Sequence, residues 1–313
     1  MIVIVCPGQG SQTPGFLAPW VAEPAFADHL GTLSELAGLD LLKYGTESDA
    51  DTIRDTRIAQ PLIVAAGLLT LGALLADGRR SAVGGVAGHS VGEITAAQAA
   101  GILTESDAMT FVRERGSAMA GAAAIVPTGM SAVVGGDEAE LLAVLETLDL
   151  QPANFNGGGQ IVVAGALDKL AGLAALAPRG ARVIPLQVAG AFHTRYMQPA
   201  VEHLTEVAAT LTPAHPSLTI WTNRDGGVVD TGDAFLDLLV GQVSSPVRWD
   251  RNMASFQDAG VTGIIEVAPA GALVGLAKRG LKGVPSVAVK TPDDLPAAIA
   301  LLTSAKAGSE ATS

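Results

Sequence analysis

Residues 82–100 set a short apolar stretch, Ala82–Ala87, directly against Gly88-His89-Ser90-Val91-Gly92, and that turn directly against an Ala-rich segment, Glu93–Ala100, closed by Gly101. An apolar strand, a glycine-flanked turn and a helix in immediate succession constrain the fold strongly. They belong to a parallel α/β sheet, with the turn at the carboxyl end of a strand. The neighbouring segments agree: Ile2–Cys6 reads as a first strand and Leu62–Ala76 as a buried helix starting after Pro61, which makes a βαβα pattern.

From about Thr128 the pattern changes. Strands are expected at Met130–Gly135, Ala153–Phe155, Ile161–Ala164 and Ala181–Val188, with helices at Asp137–Leu148 and Leu167–Leu176. This βαββαβ order in about sixty residues is that of a split-βαβ, ferredoxin-like unit. The expected fold class is therefore α/β: a core with a parallel sheet, interrupted by an inserted ferredoxin-like α+β subdomain. Residues 1–126 and 190–305 are assigned to the large subdomain and 127–189 to the small one, with 306–313 as a polar, flexible tail.

Composition removes several function classes. Among 313 residues, 19 Lys and Arg stand against 31 Asp and Glu, a net charge of −12, and no segment gathers basic residues as a nucleic-acid binder does. The single cysteine, Cys6, excludes an internal disulfide and reads as a core residue at a strand end. Five histidines show no metal-ligand spacing, so no metal is expected. The uncharged run Leu62–Ala76 is shorter than the ~20 residues that span a bilayer, and MIVIVC lacks a basic segment before it, so no membrane partner and a cytoplasmic location are expected.

A serine hydroxyl acts as a nucleophile only when a sharp turn presents it, a base meets it, and N–H donors face the developing oxyanion. Gly88–Gly92 fits G-x-S-x-G in the strand–turn–helix context that motif needs, although Ser90 could equally be an N-cap in a glycine-rich turn. Pro7-Gly8-Gln9-Gly10-Ser11-Gln12 follows the first strand and lacks the third glycine of a dinucleotide fingerprint, Thr13 standing there. Its glycines would instead let the Gln9 N–H approach a reacting carbonyl, forming an oxyanion hole with the Val91 N–H. For the base, His29 and His203 sit on helical stretches and His89 points away from its neighbour Ser90. His193, in Ala189–Thr194 at the return from the insertion, lies at a domain seam where sites form, or else is a packed structural histidine.

Eight ordered segments resemble the malonyl-CoA:acyl-carrier-protein transacylases, the acyltransferases of fatty-acid and polyketide synthesis. They are GQGSQ at 8–12, QP at 60–61, GHSVGE at 88–93, RERG at 113–116, NFN at 154–156, GAFHT at 190–194, QVSSPVRW at 242–249 and EVAPAGALVGLAKR at 266–279. The resemblance implies a hydrolase-like α/β core around the ferredoxin-like insertion, Ser90 as nucleophile, His193 as base oriented by the Gln242 backbone carbonyl, and the Gln9 and Val91 N–H groups as oxyanion hole. It further implies Arg115, facing Ser90 across the cleft, as the partner of the substrate carboxylate, and Phe192 as the residue that fills the space of an α-methyl. Asn154 and Asn156 are carried over as substrate-binding residues. The implied reaction is ping-pong: malonyl-CoA acylates Ser90, and the phosphopantetheine thiol of an acyl carrier protein takes the malonyl group, with no separate cofactor. Arg195, Lys278, Arg279 and Lys282 are candidate contacts for the carrier protein.

The residues also fit two other readings. A serine esterase or thioesterase would order Ser, Asp and His along the chain, and no Asp between Ser90 and His193 has a site-like context. A carrier-binding module with a vestigial site would fail to acylate Ser90.

Overall fold

The computed structural model describes residues 1–310, with side chains through Ser304. Two sheets organise it. The first is parallel, in the order β7-β2-β1-β8-β9, with β1 (Ile2–Cys6) at its centre between β2 (Val83–Gly88) and β8 (Gly263–Glu266), and β7 (Thr219–Trp221) and β9 (Ser286–Ala288) at its edges. All of β1 is buried because both of its faces are covered: Ile2, Ile4 and Cys6 pack into one apolar cluster, Val3 and Val5 into another. A run of five buried residues is what a central strand of such a sheet requires.

Helices α1 (Ala18–Val21), α2 (Pro24–Ala37) and α3 (Leu41–Thr46) lead into α4 (Thr56–Leu75), which packs with α5 (Gly92–Ala100) and α6 (Glu105–Ala123) in the larger cluster. The sequence placed the start of α4 after Pro61, yet the helix begins at Thr56 and carries Pro61 inside it. A proline there removes one hydrogen bond, to the Arg57 carbonyl near the helix start, and the Asp55 side chain caps the first turn by accepting the Arg57 N–H at 2.9 Å. At 20 residues α4 is long and apolar enough to cross a membrane, and its most apolar stretch is 78% buried inside the protein.

The second sheet is antiparallel and formed by β3 (Thr128–Val134), β4 (Gln151–Gly157), β5 (Gln160–Ala166) and β6 (Arg182–Leu186), in the order β4-β5-β3-β6. With α7 (Glu138–Thr147) and α8 (Leu167–Leu176) on one face, this is the ferredoxin-like arrangement. Both edge strands carry a proline, Pro152 and Pro185, where a missing N–H does least harm. The face away from the helices contributes Met130, Ala132, Val162 and Ala164 to the main core. Strand β4 is also joined to the large sheet's side of the molecule, since Phe155 N–H donates to the Val247 carbonyl and Val247 N–H to the Ala153 carbonyl, both at 2.9 Å.

The chain then runs through α9 (Gln198–Ala208), α10 (Gly232–Gln242) and α11 (Trp249–Asp258), and after β8 through α12 (Ala272–Gly280) to α13 (Leu295–Glu310). Residues 306–310 continue α13 where a polar tail was expected: the helix is already held by buried Ala298 and Leu302, and Ala, Lys and Glu extend a formed helix readily. Residues 311–313 of that expected tail lie outside the described residues.

Candidate active site

The carboxyl ends of β1 and β2 open into a cavity of about 650 Å³, floored by Gly8, Gln9, His89 and Ser90 and roofed by Asn154, Asn156, Gln160 and Val162 of the small sheet. Ser90 sits on the turn between β2 and α5 with φ at 54°, a left-handed conformation that non-glycine residues rarely adopt. The flanking glycines make the turn possible. A methyl group on Gly92 would lie 2.1 Å from the Cys6 carbonyl oxygen, and one on Gly88 would lie 2.0 Å from the Glu93 nitrogen. The surroundings fix the strained residue, since Ser90 N–H donates to Asn223 Oδ1 at 2.7 Å and the Ser90 carbonyl accepts from Gln242 Nε2 at 3.1 Å.

Ser90 Oγ lies 2.7 Å from His193 Nε2, and His193 Nδ1 lies 2.9 Å from the Gln242 carbonyl oxygen. With a carbonyl facing Nδ1, that nitrogen carries the proton and Nε2 is the acceptor for the serine hydroxyl. His193 also has a positive φ, 61°, and its N–H donates to the Val243 carbonyl at 3.0 Å, which ties the seam loop to the end of α10. Burial first, and the Arg115 charge second, pull the His193 imidazole down to about 3, so it is neutral at physiological pH.

Arg115, on α6, is fully buried. Its Nη1 donates to Gln60 Oε1 and its Nη2 to Gln242 Oε1, each at 2.7 Å, and Nη2 also lies 3.4 Å from Ser90 Oγ. Its Nε has no protein partner. The guanidinium therefore lies beside and behind the serine, not across the cleft, and Gln60, which lines the cavity, stands next to it. Burial draws Arg115 down to about 10, which leaves it charged at neutral pH.

The other expected residues distribute as follows. Gln9 lines the cavity, and among the described residues neither its N–H nor that of Val91 donates to a protein acceptor. Phe192 and Asn154 line the cavity as well; Asn156 Oδ1 bonds His89 Nε2 at 3.0 Å, and its Nδ2 donates to Gln160 Oε1. Of the candidate carrier-protein contacts, Arg195 is paired with Asp149 at 2.7 Å, whereas Arg279 lines the cavity mouth and Lys278 and Lys282 are exposed.

Sequence reasoning missed three contributors. Gln242 acts through its side chain as well as its carbonyl. Asn223, after β7, holds the turn by donating from Nδ2 to the Gly88 carbonyl at 2.6 Å. Glu93, which stood out in the sequence only as the first residue of the helical segment, is buried and accepts the Asn223 N–H at 2.6 Å and the Gln242 amide. An asparagine just past a strand's carboxyl end was the available signal for Asn223.

A buried Ser–His pair beside a buried guanidinium, under an inserted ferredoxin-like lobe, is suited to acyl transfer. Residues 3–296 match the acyl transferase domain. The chain belongs to the acyl transferase family. It is similar to the malonyl CoA-acyl carrier protein transacylase of Mycobacterium tuberculosis, at 50% identity over 299 residues covering 94% of this chain and 98% of the relative. The Escherichia coli K12 transacylase of the same name is 33% identical over 307 residues, covering 95% and 98%. The crystal structure of the M. tuberculosis protein superposes with a TM-score of 0.92 at 49% identity, covering 96% of this chain and 99% of that one. A malonyl-transacylase in complex with a type II polyketide synthase acyl-carrier protein gives a TM-score of 0.90 at 28% identity, covering 95% and 98%. The parallel sheet with its ferredoxin-like insertion is thus the fold that this family shares with the chain.

Proposed function

We propose that this acyl transferase moves a malonyl group from malonyl-CoA to the phosphopantetheine thiol of an acyl carrier protein, through a malonyl ester on Ser90. The observation that carries the reading is a single hydroxyl oxygen met at 2.7 Å by a neutral imidazole and at 3.4 Å by a buried guanidinium. One group activates the nucleophile, and the other suits an acyl chain that ends in a carboxylate.

His193 Nε2 takes the Ser90 proton as Oγ attacks the thioester carbonyl, while its Nδ1–H donates to Gln242 and fixes the tautomer. The oxyanion that forms accepts from the Gln9 and Val91 N–H groups, and the partial positive charge at the start of α5 favours it further. Collapse expels CoA, whose sulfur takes the proton from His193. The carrier thiol then attacks the serine ester by the reverse sequence, giving up its proton to His193 and returning Ser90 to its hydroxyl form. Every proton and charge in this cycle is handled by a named side chain or backbone group, so the reaction requires no cofactor.

Arg115 selects the acyl group. A carboxylate accepts two parallel hydrogen bonds from a guanidinium, which a neutral acyl chain cannot do. Phe192 narrows the cavity beside His193, so an α-methyl branch is disfavoured by ~1–3 kcal/mol. The relatives' names support malonyl-CoA and a carrier protein as partners; the polyketide carrier complex supports polyketide synthesis as one use of the product, and the family resemblance points to fatty-acid synthesis as another. The location that fits these partners is the cytoplasm, with α4 serving as a core helix. Intact-protein mass spectrometry after incubation with malonyl-CoA tests the reading: a malonyl adduct is expected on the wild-type chain and none on Ser90→Ala. An adduct that survives in Ser90→Ala, or none on the wild type, refutes it.

A further inference from the structure

Glu93 is buried at the start of α5, yet among the described residues it makes no direct ion pair, although a buried guanidinium is close by. Between the two stands the Gln242 side chain. Its Nε2 donates to Glu93 Oε2 and, at 3.1 Å, to the Ser90 carbonyl; its Oε1 accepts from Arg115 Nη2 at 2.7 Å. An amide between two acceptors and one donor has a single orientation that satisfies all three. Glu93 Oε1 is meanwhile engaged with the Asn223 N–H at 2.6 Å, and Asn223 Oδ1 holds the Ser90 N–H.

We infer that Glu93 is a positioning residue for acyl-group selection: by accepting from Gln242 Nε2 it locks that amide with its oxygen towards Arg115, and so aims the guanidinium at the carboxylate of the acyl group. Residue 242 then serves both halves of the site at once, its main chain orienting His193 and its side chain orienting Arg115. The interposed amide has a physical advantage over a direct pair. A carboxylate bonded straight to Arg115 would neutralise it and compete with the substrate, whereas an amide offsets part of its desolvation and leaves its charge available. The inference rests on the malonyl-transfer reading and deepens it.

The test is Glu93→Gln, which keeps size and shape. Burial pushes the Glu93 carboxyl up to about 8, so the comparison is run at about pH 9, where the ionised group presents an acceptor to each of two donors, whereas a glutamine has one acceptor and one NH2. Because the Asn223 N–H is fixed by the backbone, the NH2 faces Gln242, whose amide must turn over and direct its own NH2 at Arg115. Wild type and variant are compared for kcat/KM with malonyl-CoA and with acetyl-CoA, using a holo acyl carrier protein as acceptor. The ratio of malonyl to acetyl transfer is expected to drop at least about tenfold in Glu93→Gln, the scale of one charge-assisted hydrogen bond. A ratio that is unchanged or rises overturns the inference, as does a parallel fall with both substrates, which is what a merely structural role would give. A wild type that transfers no malonyl group refutes the functional reading instead. Should Glu93→Gln not fold, Gln242→Met removes the amide and keeps the carbonyl for His193; the same drop in ratio is expected, and an unchanged ratio is again fatal.

Discussion

Replacing Arg115 by alanine separates recognition of the acyl group from activation of the serine. In the free protein the guanidinium is spoken for by two glutamine oxygens at 2.7 Å, with Nε unpaired and Ser90 Oγ at 3.4 Å, so a malonyl carboxylate must displace one glutamine or engage Nε. Two hydrogen bonds from a charged donor to a charged acceptor are together worth about 3–6 kcal/mol, or roughly 10²- to 10⁴-fold in rate. Acetyl-CoA has no carboxylate and forfeits none of this. The expected outcome for Arg115→Ala is therefore a fall of at least about 100-fold in kcat/KM for malonyl-CoA with a much smaller change for acetyl-CoA. Rapid-quench acylation followed by intact mass reads both substrates on Ser90 directly, at a temperature where circular dichroism confirms a folded chain, because Gln60 and Gln242 each lose a partner. A loss under about tenfold with malonyl-CoA, or equal losses with both substrates, would refute the role given to Arg115.

Two further outcomes follow from the geometry. Protonated His193 cannot accept the serine proton, and with its imidazole held down to about 3 the acylation rate should stay level from pH 7.5 to about 5; a tenfold fall centred near 6.5, the ordinary histidine value, would contradict this. The unfolded chain takes up that proton near 6.5 and the folded one only near 3, so the unfolded state holds more protons in between, and this group's contribution to stability is lost as pH falls through that window. Gly92→Ala would push a methyl group to 2.1 Å from the Cys6 carbonyl oxygen and 2.8 Å from that of Pro7, both backbone atoms that cannot turn aside. A loss of about 3 kcal/mol, seen as a melting temperature lower by roughly 4–6 °C, is expected in differential scanning calorimetry; a shift within about 1 °C would show that the turn tolerates a side chain.

The elements that the sequence made legible are those with a local signature. Strand β1, the β2–turn–α5 unit and the alternation of the small sheet can each be read from a few adjacent residues, and the structure places them within a few positions of the expected bounds. Ser90 and His193 were found because glycines and a seam mark them. Glu93, Asn223 and the Gln242 side chain were not, because their roles exist only between residues 19 to 152 positions apart, and no periodicity or spacing encodes such a relation. The start of α4 was misplaced for a different reason: a proline was read as a boundary, where the tertiary packing of Ala59 and Gln60 outweighs one missing hydrogen bond.

The stitch between β4 and Val247 has a mechanical corollary. It falls only a few positions downstream of Gln242, whose carbonyl steadies the imidazole, so it forms a pivot close to the reacting atoms. A lobe that rocks about such a pivot moves least where chemistry happens and most at its distal edge. Long pantetheine arms, arriving on two different carriers, could then be admitted and released by small tilts at the periphery without disturbing the spacing of oxygen and nitrogen at the fulcrum.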